Sequence, residues 1–218
     1  MSIPCWLTNR DTMFVRTCAE SLAKLDNVGQ ITILDCESTY PELLEWYESQ
    51  SEFRVLKLKN HGAHAPWRSN EDLAGAGDFY FASDGDLDFT DCHPGLLTEC
   101  QKVLEAYPEI IKAGPSLKID DLPDTPMNVK VRAHEAKFWR KEWNPLWYDA
   151  LIDTTAALYR KGHGWRGYGP ALRCKPPYEV RHLPWYLDRL NLPPDMKHYV
   201  GRMKVDGLSW GPQFRIQS

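Results

Sequence analysis

The first half of the chain alternates short apolar runs with segments of helical periodicity, and each run ends on polar or acidic residues. Ile3–Leu7 reads as a first strand. Asp11 is placed to cap a helix in which Phe14, Val15, Cys18, Leu22 and Leu25 recur on one face. Gln30–Leu34 reads as a second strand, Pro41 opens a second helix, and Val55–Leu58 is a third strand. Asp78–Ala82 is a fourth, an unbroken apolar run suited to burial inside a parallel sheet. A helix from about Pro94 and a fifth strand over Lys112–Ile119 complete the pattern. Strand–helix–strand repetition with short loops implies right-handed crossovers, so the expected class is α/β with a mostly parallel central sheet flanked by helices.

In such sheets ligands bind outside the carboxyl ends of the strands. Those ends here carry Thr8-Asn9-Arg10-Asp11, Asp35-Cys36-Glu37-Ser38, Asn60-His61-Gly62 and Ser83-Asp84-Gly85-Asp86. Asp84 and Asp86 stand side by side after a buried strand. Two carboxylates so close repel unless a cation lies between them, and hard divalent ions take oxygen ligands. An EF-hand loop does not fit, because its sixth position is Phe89 instead of Gly and its twelfth is Gly95 instead of Glu. A solvated acidic turn is the bland alternative.

Charge distribution says more than the net charge of −4, which argues against a dedicated nucleic-acid binder. Glu71–Asp124 holds 13 acidic residues against 3 lysines, and Lys130–Arg181 holds 11 basic against 5 acidic. Solvated faces of either sign account for such blocks; so does a ligand that pairs a metal with a diphosphate. No apolar run approaches the roughly 18 residues of a membrane span. The opening MSIPCWLTNRD reaches Asn9 and Arg10 too early for a secretory leader. The six cysteines, with no CxxC pair, are expected to be reduced, mostly buried thiols of a cytoplasmic protein.

From these residues the chain resembles the GT-A glycosyltransferases, which transfer sugars from nucleotide-diphosphate donors and carry an Asp-x-Asp after a hydrophobic strand. Asp84-Gly85-Asp86 matches in type, position and context, and the Thr8-Asn9-Arg10 end, Asp35 and Asn60-His61-Gly62 match further strand ends. LKIDDLPD, LIDTTAALYR and RHLPWYL look like a compact, chlorovirus-type subgroup found in bacteria and large algal viruses. The resemblance spans nearly the whole chain. It implies a single GT-A domain over 1–218, with a nucleotide-binding half (about 1–90) and an acceptor and pocket-completing half (about 91–218).

It further implies a UDP-sugar donor, a glycan or glycoprotein acceptor, and Mn²⁺ or Mg²⁺ bridging the donor's phosphates. Asp86 is the direct metal ligand, and Asp84 binds the metal or the ribose. The family often adds a histidine, for which His182 is the candidate and His198 the reserve; a histidine ligand favours Mn²⁺. Thr8, Asn9 and Arg10 are expected at the nucleoside and Asp35 at uracil or ribose. Arg68 and Arg10 offer guanidinium forks for phosphate or nucleoside, or are surface residues. Trp67 flanks the donor or packs in the core. The aromatic stretches around Trp139, Trp147, Trp165 and Trp185 either pack between elements or stack on sugar faces.

The family's Glu-Asp pair after the final strands is missing; the one Glu-Asp is Glu71-Asp72. Asp153, set in an apolar stretch, and Asp121, after the fifth strand, are the catalytic candidates, and a retaining reaction is favoured because it needs no strong base. Two other readings stand beside this one. A sugar nucleotidyltransferase is demoted because IPCWLTNRD has no glycine-rich phosphate loop, and a non-catalytic nucleotide- or carbohydrate-binding domain is motivated by the missing pair. The sequence leaves open that the chain is one module of a larger glycosyltransferase.

Overall fold

A computed structural model describes residues 2–165 and 169–203. Part of the GWRGYGP stretch and the tail WGPQFRIQS lie outside the described residues. The elements are β1 (Ile3–Asn9), α1 (Phe14–Leu22), β2 (Val28–Cys36), α2 (Pro41–Ser49), β3 (Arg54–Leu58), α3 (Ala65–Arg68), β4 (Phe79–Asp84) and β5 (Leu87–Asp88). They continue with α4 (Leu96–Ala106), β6 (Lys112–Leu117), α5 (Pro126–Glu135), β7 (Glu142–Asn144), β8 (Trp147–Asp149), β9 (Ala156–Arg160), β10 (Ala171–His182) and α6 (Pro194–Gly201).

One sheet runs through both halves in the order β3-β2-β1-β4-β9-β6-β10-β8-β7, with β5 paired to β10. β1 pairs in parallel with β2 and β4, β2 with β3, and β6 with β10. β9 runs antiparallel between β4 and β6, and β8 antiparallel beside β10. The expected mostly parallel α/β sheet flanked by helices is thus the observed class. Because β9 is reversed, its first residues lie beside the carboxyl end of β4.

Five expected strands occur close to their expected limits. β9, in the second half, begins at Ala156. β10 escapes a local reading because Pro176-Pro177 interrupts it, and proline in a strand argues against one. Asp11 does not cap α1, whose N-cap, Met13, makes no side-chain bond. Asp11 instead adopts φ 59° and turns its carboxylate to the amides of Thr39 and Tyr40 at the end of β2 (2.5 and 3.1 Å).

The helices are unevenly shared between the faces. A large core cluster joins Val15, Leu22, Leu43, Leu97, Leu104 and Val131 of α1, α2, α4 and α5 to Leu7, Ile33 and Phe81. A smaller cluster on Trp6, Tyr80 and Tyr159 is covered by Ala65 of α3 and by the segments holding Leu73 and Ile152. All six cysteines are buried and free. No described helix is long and apolar enough to cross a membrane.

Lys112 is 1% exposed on the second face, its Nζ 5.6 Å from the Tyr159 ring centroid. No carboxylate among the described residues lies within salt-bridge distance of it. Burial lowers its pKa; Asp153 opposes this and Arg173 adds to it. A lysine depressed in the folded state weakens folding most below its folded pKa, and the penalty fades as pH rises towards the ordinary lysine value. Lys112→Met is therefore expected to raise the melting temperature at pH 7, with the gain shrinking as pH approaches about 10. Thermal melts across that range check it; a destabilised variant would contradict the assignment.

Candidate active site at the carboxyl edge of the sheet

A cavity of about 720 Å³ opens at the carboxyl ends of β1, β2 and β4 and extends past the start of β9 to the residues following β10. β4 delivers Asp84 to its floor. The turn after it presses on β1, where the Gly85 amide donates to the Thr8 carbonyl (2.8 Å). A Cβ on Gly85 would lie 2.8 Å from that same oxygen, so only glycine permits this approach. Asp86 then faces the end of β10. Arg181 and His182 pair with Asp88 and Leu87, and the Leu183 amide donates to the Asp86 carbonyl (2.9 Å). This ladder sets His182 Nε2 3.4 Å from Asp86 Oδ2.

Asp153 enters from the loop before β9. Its Oδ1 accepts from the Thr155 amide (2.9 Å) and hydroxyl (2.5 Å), while the Thr155 carbonyl accepts from the Asp84 amide (2.8 Å). Burial, with the charges of Asp86 and Asp153 beside it, holds the Asp84 carboxyl well above the ordinary range. Asp153 is exposed at the cavity wall, not enclosed in apolar residues as its sequence context implied.

Thr8, Asn9, Arg10, Asp84, Asp86, Asp153 and His182 all line this cavity. Asn9 is committed to the fold: its Nδ2 donates to the Thr12 carbonyl and Tyr47 Oη, and its Oδ1 accepts from the Thr12 hydroxyl. Asp35 lies just behind the wall, 2% exposed, with Oδ2 accepting from the Ser38 amide and Oδ1 unpartnered. Burial pushes its carboxyl up, against hydrogen bonds from Ser38.

Three candidates are not brought there. Trp67 donates to Tyr80 Oη (2.8 Å), packs edge-on against Tyr159, and lines a separate cavity of about 290 Å³. Arg68 ends α3, outside the lining of the large cavity. Asp121 is outside it too, accepting from Arg181 Nε (2.9 Å) and Tyr186 Oη (2.5 Å). Burial raises that carboxyl, but these bonds outweigh it and hold it below its ordinary value. Arg181 also pairs with Asp91, bracing the strand end that bears His182.

Sequence reasoning missed most of the far wall. Met196 and Tyr199 of α6, with Arg202 and Met203 after it, face the β1 end, while Met127 of α5 faces the β10 end beside Trp185, which the aromatic stretches had singled out. Pro193-Pro194, the N-cap and first residue of α6, was the available helix-start signal. His198 belongs to the anchorage of α6, with Nε2 2.9 Å from Thr39 Oγ1 and 3.7 Å from Asp11 Oδ1.

Among the described residues, no three His, Cys, Asp or Glu side chains are grouped closely enough to hold a metal as they stand. Asp86 Oδ1 and His182 Nδ1 are nevertheless buried without hydrogen-bond partners, beside Asp84 and Asp153. That donor set of carboxylate oxygens and an imidazole suits a divalent cation.

A scan against protein-family models finds no match, and a search of curated proteins finds none either. Solved structures do superpose. Residues 1–349 of Staphylococcus aureus TarS match at 15% identity and a TM-score of 0.46, over 74% of this chain and 47% of that one. Mycobacterium tuberculosis glucosyl-3-phosphoglycerate synthase, in complex with Mn²⁺, UDP and phosphoglyceric acid, matches at 16% and 0.43, over 73% and 56%. The 4-diphosphocytidyl-2C-methyl-D-erythritol synthase of Anaerococcus prevotii matches at 9% and 0.43, over 73% and 70%. This chain spans about half the length of the TarS structure.

Proposed function

We propose that this chain is a GT-A-type glycosyltransferase that moves a hexose or deoxyhexose from a UDP-sugar to a glycan hydroxyl, using Mn²⁺ or Mg²⁺. One observation carries the reading. Thr8 Oγ1, Arg10 Nε, Asp86 Oδ1, His182 Nδ1 and Trp185 Nε1 are buried without hydrogen-bond partners, and all five residues line one cavity. An unsatisfied buried polar group costs about 1–3 kcal/mol, so orphans converging on one space are what a polar ligand would resolve.

Their order along the edge suits a nucleotide-sugar. Thr8 and Arg10 stand at the β1 end beside Glu37, Asn60 and Gly62; the acidic residues stand at β4, and His182 and Trp185 towards β10. Asp86, Asp84 and His182 would hold the cation. When bound, it supplies neutralisation of the charge that builds on the departing diphosphate. Arg10 donates to the phosphates or nucleoside from the opposite side. Asp153, exposed and fixed by Thr155, orients the acceptor hydroxyl, and a leaving phosphate that takes that hydroxyl's proton on the same face makes the reaction retaining. In this reading Asp121 braces Arg181 and does not touch substrate. The chlorovirus-type subgroup and the cytoplasmic setting belong to the same proposal.

Calorimetric titration with UDP, with and without Mn²⁺, tests it alongside an assay of UDP-sugar hydrolysis. Mn²⁺-dependent binding with slow hydrolysis is expected. Binding without turnover would favour the non-catalytic nucleotide-binding reading, and no binding would overturn both.

A further inference from the structure

One of the five orphaned atoms, Trp185 Nε1, belongs to the 3₁₀ turn that follows β10 (Leu183–Tyr186), where that turn meets α5. Asn128, on the first turn of α5, is 1% exposed. Its Nδ2 donates to the carbonyls of Pro123 (2.9 Å) and Trp185 (3.0 Å). Those two bonds tie the turn to α5, and Asn128 itself lies behind the cavity lining. Trp185 is 4% exposed, its ring 4.5 Å from that of His182, and its Nε1–H is a buried donor without a partner. It lines the cavity beside Pro184 and Met127, the residue preceding Asn128.

An unpartnered N–H at the cavity wall is complementary to an acceptor such as a hydroxyl oxygen, and an apolar group would leave it unmet. The indole and Met127 add apolar surface of the kind that packs on the C–H face of a pyranose. Trp185 also stands beyond Asp86 and His182, at the opposite end of the cavity from Glu37, Asn60 and Gly62.

We infer that Trp185 is a specificity-determining residue that donates to a hydroxyl of the donor's pyranose ring, and that Asn128 holds its turn in place. The inference rests on the glycosyltransferase reading of the same cavity. Trp185→Phe keeps the aromatic packing against His182 and removes only the N–H and part of the ring.

Wild type and Trp185→Phe are titrated with UDP, UDP-glucose and UDP-galactose in Mn²⁺ without acceptor, so that any effect belongs to the donor. The wild type is expected to bind at least one UDP-hexose more tightly than UDP. The variant is expected to bind UDP as the wild type does and that UDP-hexose about tenfold more weakly, the scale of one lost hydrogen bond. A variant that keeps the wild-type preference overturns the inference, as does a wild type without a preference. Equal loss for UDP and UDP-hexose would make Trp185 a prop for His182 and overturn it too. A wild type that does not bind UDP at all would instead remove the glycosyltransferase reading beneath it.

Discussion

Replacing Asp86 with alanine is expected to abolish Mn²⁺-dependent UDP binding, a loss of about 100-fold or more, while leaving the fold intact. The size follows from removing a charged ligand from a cation that itself contributes several kcal/mol. Intactness follows from electrostatics: without a cation, Asp86 adds to the charge that holds the Asp84 carboxyl high. Its removal relieves that repulsion, and among the described residues the one ion-pair contact of its side chain is that with His182. The backbone bond from the Leu183 amide to residue 86 survives the change. Melting in chelator should therefore be unchanged or slightly raised, and the upward shift that Mn²⁺ gives the wild type should vanish. Unaltered UDP affinity with Mn²⁺ would end the case for a cation at this position.

The second large effect concerns stability. Asp11→Ala is expected to destabilise the protein by about 3–5 kcal/mol, the range for breaking a buried charged pair from one side. Asp11 is 0% exposed and accepts from the amides of Thr39 and Tyr40 and from Arg202 Nη1. Its own amide donates to Ser38 Oγ (2.8 Å). At φ 59° it occupies a region that Asp tolerates better than Ala does. One carboxylate thus ties β1 to the end of β2 and to α6, whose N-terminal Asp195 also accepts from the Met13 amide (2.7 Å). Urea denaturation reads the loss directly. Because Met196, Tyr199 and Arg202 form a cavity wall, UDP affinity should fall along with stability. A change below about 1 kcal/mol would show that the clasp is worth no more than an exposed ion pair.

The two experiments probe different kinds of information. Asp86 was legible because a buried apolar strand and the two carboxylates after it are contiguous in the chain. The clasp was not, because Asp11 looks like an N-cap to any local reading, and its true partners come from β2 and from beyond α6. For Trp67 and Arg68 the sequence left two alternatives standing, core or donor for one and surface or phosphate for the other. The same limitation kept it from choosing: proximity to a loop expected near the donor did not say which way α3 would turn. It packs on the second face, where Trp67 bonds Tyr80.

Residue order alone decided the alternation of β1 through β4 with their helices, the polar edge at their carboxyl ends, and the neighbouring pair Asp84 and Asp86. Those are short-range properties, set by side-chain periodicity and by what a buried strand excludes. Tertiary structure alone decided that β9 runs backwards to bring Asp153 beside Asp84, that β10 continues through its prolines to seat His182 against Asp86, and that Trp185 and Asn128 meet. Each of these joins segments far apart in the chain, and their meeting depends on how whole strands and helices bury their apolar faces, which no local pattern encodes.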